Sequence, residues 1–139
     1  MTKRYRLFGT TADVGVVSSG RGLKEAFEGQ AAGMFSIMTD MRKVRATEAF
    51  SVEAEGTDDE RLLFDWLNGL LYLYDTERVF LKRFEITSIG GGRLSARVYG
   101  ERIDLGRHLA KSEVKAVTYH MLEVKKTKGG VKTRVVYDI

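Results

Sequence analysis

The chain has 139 residues, 43% hydrophobic and 30% charged, so we expect one folded domain over residues 1–139 rather than a disordered segment. It has no cysteine, which excludes disulfides, thiolate metal sites and cysteine nucleophiles, and its two histidines are too few for a three-histidine zinc site. The net charge is +4, and neither a membrane helix of ~20 apolar residues nor an apolar signal segment is present, so we expect a cytoplasmic protein with no membrane contact.

Strands and helices alternate in the first half of the chain. Polar and apolar residues alternate over 4–8, which predicts a strand, and residues 9–22, rich in Gly, Thr and Ser, predict a loop. Apolar residues at i, i+3 and i+4 predict an amphipathic helix from Leu23 to near Asp40. Alternation over residues 44–55 predicts a second strand.

A second helix follows at once. Thr57 and Glu60 have the spacing of a capping box, and the helix that they begin presents a broad apolar face from Leu62 to Tyr74. The single tryptophan, Trp66, lies on that face, so we expect it in the core.

The remaining segments indicate two hairpins. Strands over 80–89 and 94–99 flank a triple-glycine turn, residues 100–111 form an irregular connection, and strands over 114–125 and 131–139 flank Thr-Lys-Gly-Gly. The order β-α-β-α-β-β-β-β predicts an α+β fold in which two main helices pack on a mixed, largely antiparallel β-sheet. The C-terminal strand is expected to be paired inside that sheet.

The loop after the first strand is the first candidate for chemistry. Its Gly-Thr-Thr-Ala-Asp-Val-Gly run lacks the Lys-Ser/Thr end of a P-loop and the spacing of a dinucleotide fingerprint. What remains is Asp13 in a turn of small residues. It is either a ligand to a cation or a carboxylate that caps the turn.

The C-terminus brings further carboxylates. An apolar strand that ends in Asp138-Ile139 places a side-chain carboxylate beside the α-carboxylate, and two such anions repel unless a cation or strong donors offset them. Hard cations such as Ca²⁺ take several oxygens of this kind. The alternative is a frayed, solvated terminus. Asp40 and Asp104 lie in connections, either near this cluster or simply solvated.

His120 is the candidate for catalysis. It lies on the predicted strand 114–125, and a hydroxyl nucleophile served by it would be Ser112 or Thr118, with Lys115 and His108 not far away in sequence. No Gly-x-Ser-x-Gly elbow is present, and a lone strand histidine is more often structural, so a hydrolase is the less favoured interpretation.

The basic surplus is concentrated in the first six residues and in Lys-Lys-Thr-Lys at 125–128. Such a surplus would raise the rate of encounter with RNA or with an acidic protein. A solvated face and a charged hairpin tip explain the same residues, and we favour that interpretation.

These residues together resemble the archease family, in blocks that keep the family's order along nearly the whole chain. The blocks are Thr-Ala-Asp-Val-Gly at 11–15, Leu-Leu-Phe-Asp-Trp-Leu at 62–67 with Leu-Leu-Tyr at 70–72, Gly-Glu at 100–101 with Asp104, Val-Lys-Ala-Val-Thr-Tyr-His at 114–120 and Tyr-Asp-Ile at 137–139. The family usually has histidine before Thr-Ala-Asp, whereas this chain has Thr10, so no role of that histidine is carried over.

The resemblance implies an accessory protein rather than an enzyme. Archeases assist the 3′-phosphate RNA ligase that joins 2′,3′-cyclic-phosphate or 3′-phosphate ends to 5′-hydroxyl ends in tRNA splicing, promoting its guanylylation and multiple turnover. The implied partners are therefore that ligase and, indirectly, tRNA exon halves. The alternative is a general RNA-binding or chaperone-like module that uses the basic surface.

The resemblance also implies a metal site. The family's ligands correspond to Asp13, Asp138 and Ile139, with calcium, or another hard divalent cation, as the expected ion. Lys115, His120 and Asp40 are expected to support the site from nearby.

Overall fold

The computed structural model describes residues 4–9 and 12–139, so Thr10 and Thr11 of the first motif lie outside the described residues. Its elements, in chain order, are β1 (Tyr5–Gly9), β2 (Asp13–Gly20), α1 (Leu23–Met38), a 3-10 helix (Met41–Lys43), β3 (Glu48–Glu55), α2 (Asp59–Glu77), β4 (Val79–Gly90), β5 (Arg93–Arg102), β6 (Ala116–Val117), β7 (Glu123–Thr127) and β8 (Gly130–Asp138).

The strands form two antiparallel sheets. In the larger sheet β8 is central: β2 pairs along one of its edges, β6 and β7 pair with successive parts of the other edge, and β1 pairs with β2. The smaller sheet has the order β3-β5-β4. Every strand pairing in the described part of the chain is antiparallel, and the predicted α+β fold with two main helices is confirmed.

Both helices contact strands of both sheets, so the molecule has one shared core. Trp66 of α2 is fully buried there, as its sequence position predicted, and its indole N–H donates to the carbonyl of Phe27 in α1 at 3.0 Å. That bond fixes the two helices against each other and satisfies the polar atom of a buried aromatic ring. No helix in the described residues is long and apolar enough to cross a membrane.

Strand β2 lies where the sequence predicted a loop. Its Val16 and Ser18 are fully buried, and the Ser18 hydroxyl donates to the carbonyl of Ala26 in α1 at 2.9 Å. The Gly and Ser residues of this segment have low strand propensity, but pairing on both edges with β1 and β8 outweighs it. The predicted loop is therefore wrong over residues 13–20.

The start of α2 also differs from the prediction. Asp58, not Thr57, is the N-cap, and its carboxylate accepts the Arg61 N–H at 2.8 Å. Glu60 instead accepts the Val124 N–H at 3.0 Å, which ties the first turn of α2 to β7. An aspartate caps as well as a threonine, so the chain could begin the helix one residue later.

Three strand boundaries differ as well. The predicted strand over 114–125 is divided into β6 and β7 by a turn at which Met121 has a left-handed φ of 56°. The predicted strand over 44–55 begins only at Glu48, after the 3-10 helix. The predicted connection over 100–111 begins later than expected, because β5 continues to Arg102, and residues 103–115 then have no helix or strand.

Candidate functional site

Asp13 and Asp138 meet across β2 and β8, where the register places them directly opposite each other. Their neighbours Val14 and Tyr137, also paired, alternate to the face that packs on α1, so both carboxylates lie on the other face. Both aspartates are exposed. Directly opposed residues in an antiparallel pair have Cβ atoms about 4.5–5.5 Å apart, so the two carboxylates are near neighbours.

Neither carboxylate has a hydrogen bond or an ion pair with another residue in the ranges 4–9 and 12–139. Like charges directly opposed across two strands repel, and a cation between them would remove the repulsion. In the described part of the chain, no three His, Asp or Glu side chains gather to hold a metal ion. A hard cation at Asp13 and Asp138 would therefore need a further oxygen, such as a main-chain carboxylate.

The backbone around Asp138 is held on both sides. Its carbonyl accepts the Lys115 N–H at 2.8 Å, and Ala116 is its register partner in β6. The Ile139 N–H points at the carbonyl of Ala12 at 3.5 Å. Asp138 is therefore the last residue of a paired strand, and the alternative of a frayed end does not hold for it.

A buried hydrogen-bond network fixes β8 immediately before Asp138. The Tyr137 hydroxyl donates to Gln30 Oε1 of α1 at 2.8 Å, and the Gln30 amide N–H₂ donates to the Thr133 hydroxyl at 2.8 Å and to the Val16 carbonyl at 3.1 Å. Burial raises the pKa of Tyr137 well above its ordinary value, so the phenol remains a donor. This network connects α1 to both strands that carry the aspartates, and nothing in the sequence pattern indicated it.

Of the residues expected to support the site, Lys115 lies beside the aspartate pair and Asp40 does not. Lys115 is exposed and adjoins the pair through its backbone bond to Asp138. Asp40 caps the 3-10 helix: hydrogen bonds from the Arg42 side chain at 2.9 and 3.0 Å, and then one from its backbone N–H, lower the pKa of Asp40 to about 2. Among the described residues, the structure does not connect Asp40 to either aspartate.

The candidates for catalysis are not brought together. His120 is exposed in the turn between β6 and β7, not on a strand. The Thr118 hydroxyl donates to the Val136 carbonyl at 2.8 Å, which occupies it structurally. Asp104 accepts the Gly106 N–H at 3.0 Å within its own turn. In the described residues no hydrogen bond connects His120 to a serine or threonine hydroxyl.

Glu101 and His108 were named separately from the sequence, but it was not predicted that they form a buried group together. Glu101, at the end of β5, is 8% exposed and accepts from His108 Nε2 at 2.7 Å, from the Arg45 N–H at 2.8 Å and from the guanidinium of Arg107. The Asp104 N–H donates to His108 Nδ1 at 3.0 Å, so the ring proton is on Nε2. Burial raises the pKa of Glu101, but the hydrogen bonds outweigh it and lower that pKa to about 2.

This network anchors the irregular segment 103–115, which leads directly to Lys115. Glu101 and His108 are seven residues apart, and the sequence placed both in the irregular connection over 100–111, with no sign that they would pair. The charged cluster therefore positions the segment beside the aspartate pair without belonging to that pair.

Known proteins similar to this chain share its whole length. The model of the archease protein family matches residues 5–139. The chain is 39% identical to the protein archease of Methanothermobacter thermautotrophicus, covering 99% of both chains. It is 42% identical to the protein archease of Thermococcus gammatolerans, covering 92% of both.

Solved structures share the fold. The solution structure of a Methanobacterium thermoautotrophicum protein has a TM-score of 0.86 and 39% identity, covering 99% of this chain and 100% of that one. A crystal structure of an archease from Thermotoga maritima, described as a possible chaperone, has a TM-score of 0.66 and covers 95% of this chain and 94% of that one. At 23% identity, that second similarity concerns the fold alone.

Proposed function

The chain belongs to the archease family, and from that premise we propose that it is an accessory protein that activates an RNA ligase and is not itself an enzyme. The ligase joins RNA ends that carry a 2′,3′-cyclic phosphate or a 3′-phosphate to 5′-hydroxyl ends in tRNA splicing. The chain promotes guanylylation of the ligase, and so allows each ligase molecule to turn over repeatedly.

The observation that supports this proposal is the opposed pair Asp13 and Asp138 at an ordered, exposed end of the larger sheet. Two neighbouring carboxylates without protein partners in the described residues favour the binding of a cation. Asp13, Asp138 and the carboxylate of Ile139 would hold a hard divalent cation, with calcium as the expected ion. Such an ion would offset part of the carboxylates' negative charge and offer open coordination positions to phosphate oxygens.

The chain's own residues then define the docking tip. Asp13 and Asp138 project from one face of the sheet, and Lys115 adjoins them on the β6 side. The Gln30–Tyr137 hydrogen bond keeps β8 in place behind them. A rigid, mainly acidic tip of this kind complements the cationic surroundings of a nucleotide-phosphate centre on the ligase.

Multiple-turnover ligation tests the proposal. A trace of ligase is mixed with excess RNA bearing a 3′-phosphate and with GTP, with and without the chain. With the chain present, we expect many joined products per ligase molecule and faster transfer of labelled guanylate to the ligase. Equal turnover and equal labelling in both mixtures would show that the chain does not activate the ligase.

A C-terminal extension tests the third ligand separately. One glycine added after Ile139 moves the carboxylate by one residue while leaving the Asp13–Asp138 pair intact. Calcium binding should weaken in that variant, as measured by isothermal titration calorimetry. Unchanged binding would remove Ile139 from the site.

A further inference from the structure

One face of the larger sheet is left uncovered by the helices, and we call it the outer face. Along β8, Thr133 and Tyr137 are fully buried against α1, whereas the alternating Lys132, Arg134 and Asp138 lie on the outer face. The outer face therefore carries charged side chains along its length, and the aspartate pair lies at one end of it.

Two rows of residues that include several cations cross the other end of the outer face. In the first row Lys125 of β7 is opposite Lys132, which is opposite Ser19 of β2, and the Ser19 N–H donates to the carbonyl of Arg4 at 3.0 Å. With strands about 4.8 Å apart, this row spans about 14 Å.

The second row lies two residues further along each strand. Arg134 of β8 is opposite Val17 of β2, which is opposite Arg6 of β1. Glu123 of β7 is opposite Arg134 at the far end of the row. Two residues along a strand separate the rows by about 7 Å.

Most of this positive charge is not neutralised by the protein. Arg4 pairs with Glu25 at 3.1 Å, and Arg134 approaches Glu123 only at 4.0 Å. Within residues 4–9 and 12–139 no ion pair involves Arg6, Lys125 or Lys132.

Lys125 and Lys132 are also directly opposed across two strands. Like charges in that position destabilise a sheet, and a bound anion would relieve the repulsion. At the other end of this face, a bound cation would in the same way relieve the repulsion between Asp13 and Asp138.

The cations enclose a depression. A cavity of about 220 Å³ is lined by Arg4, Tyr5, Arg6, Val17, Ser19 and Lys132. Its walls offer the guanidinium of Arg6, the ammonium of Lys132 and the hydroxyl of Ser19, whereas the guanidinium of Arg4 is paired with Glu25. That is the donor set for one phosphate group and its neighbours on a chain.

The strands connect this depression to the aspartate pair. Between the two, the ring of Phe8 lies across Gly15, where a Cβ atom would overlap it. Six residues of β8 separate Lys132 from Asp138, about 20 Å in an extended strand. A chain with regular negative charges could therefore cross the cation rows and stack a base on a partly exposed aromatic ring.

We infer that the outer face binds the backbone of single-stranded RNA, with the phosphates on Arg6, Lys125 and Lys132. Cations on neighbouring strands next to an aromatic ring suit an alternation of phosphates and bases better than an acidic protein surface. The choice of RNA among polyanions rests on the proposed function, in which the partner enzyme acts on RNA ends.

Binding of a labelled single-stranded RNA of about 12 nucleotides to the chain alone, without ligase, tests the inference. Fluorescence anisotropy is measured over a series of salt concentrations for the wild type and for the double variant Lys125→Gln, Lys132→Gln. The matched control is Lys43→Gln, Lys82→Gln, which removes two exposed lysines that lie off the larger sheet. With a slope of about −0.7 per phosphate contact, losing two contacts weakens binding about 25-fold at 0.1 M salt and reduces the slope by about 1.4.

A single variant separates binding from folding. Lys132→Glu converts the repulsion with Lys125 into an attraction, so its thermal midpoint should not fall, while RNA binding should be lost. Retained RNA binding in this variant would contradict the inference, as would an equal loss in the two double variants. Competition by polyglutamate as strong as by RNA would overturn it in favour of an acidic protein partner.

This experiment is independent of the ligase assay. A chain that fails to bind RNA but stimulates the ligase overturns the outer-face inference alone. A chain that binds RNA through Lys125 and Lys132 but leaves ligase turnover unchanged supports the surface and overturns the proposed function.

Discussion

Replacing Asp138 by asparagine should make the metal-free protein more stable, although the residue belongs to the proposed site. Asp138 faces Asp13 across the strands, and the described residues supply neither with a counter-charge. Removing one of two directly opposed like charges is worth about 0.2–1 kcal/mol. With an unfolding entropy of about 2.1 cal/mol/K per residue over 139 residues, 0.5 kcal/mol raises the thermal midpoint by about 2 °C.

Calcium should make the wild type more thermally stable than Asp138→Asn, which reverses their order in chelator. At a calcium concentration about 100 times its dissociation constant, binding stabilises the wild type by about 2.7 kcal/mol, or about 9 °C, whereas Asp138→Asn should gain almost nothing. Thermal unfolding by circular dichroism, in chelator and in calcium, measures both effects. Glu53→Gln, which removes an exposed carboxylate from β3, is the control and should follow the wild type. A variant that is less stable in chelator, or that responds to calcium as the wild type does, would refute the reasoning.

Three further predictions concern the residues that hold the site in place. Glu101→Gln should lower the free energy of unfolding by on the order of 3 kcal/mol at neutral pH. The depressed pKa of that carboxyl contributes stability above pH 4.5 that disappears as the pH falls toward 2. In urea unfolding from pH 7 to pH 2, the free energy of unfolding should therefore depend less on pH in the variant than in the wild type. Tyr137→Phe leaves the buried Gln30 Oε1 without its donor, so the free energy of unfolding in urea should fall by about 1–3 kcal/mol. An unchanged urea midpoint would contradict the hydrogen-bond network. Gly100→Ala should cost about 1–3 kcal/mol in the same assay, since a Cβ there would overlap the Phe80 carbonyl oxygen; a neutral effect would contradict the close approach of β4 and β5.

Periodicity predicted the elements that depend on local pattern. The apolar faces that begin at Leu23 and Leu62 became α1 and α2, and the triple glycine became the turn between β4 and β5. Residues 13–20 were misassigned because strand formation there depends on partners β1 and β8, which no local pattern reveals. The family resemblance, carried by separated blocks and not by periodicity, is confirmed.

The contacts that define the site were beyond local pattern. Asp13 and Asp138 were each identified from the sequence, and the resemblance associated them, but only the β2–β8 register places them opposite each other. Gln30 and Tyr137 are 107 residues apart, and Glu101 depends on Arg45 from one segment and on Arg107 and His108 from another. The opposed lysines on the outer face likewise follow from register, since Lys125 and Lys132 belong to different strands of a hairpin.

The most direct test of the central claim is the number of RNA joins completed per ligase molecule in the presence of the wild type, Asp138→Asn or Glu53→Gln. We expect many joins with the wild type and with Glu53→Gln, and about one or fewer with Asp138→Asn, although that variant is folded and no less stable in chelator. Stimulation by Asp138→Asn equal to that by the wild type would contradict the claim that the opposed aspartates are the working part of the molecule.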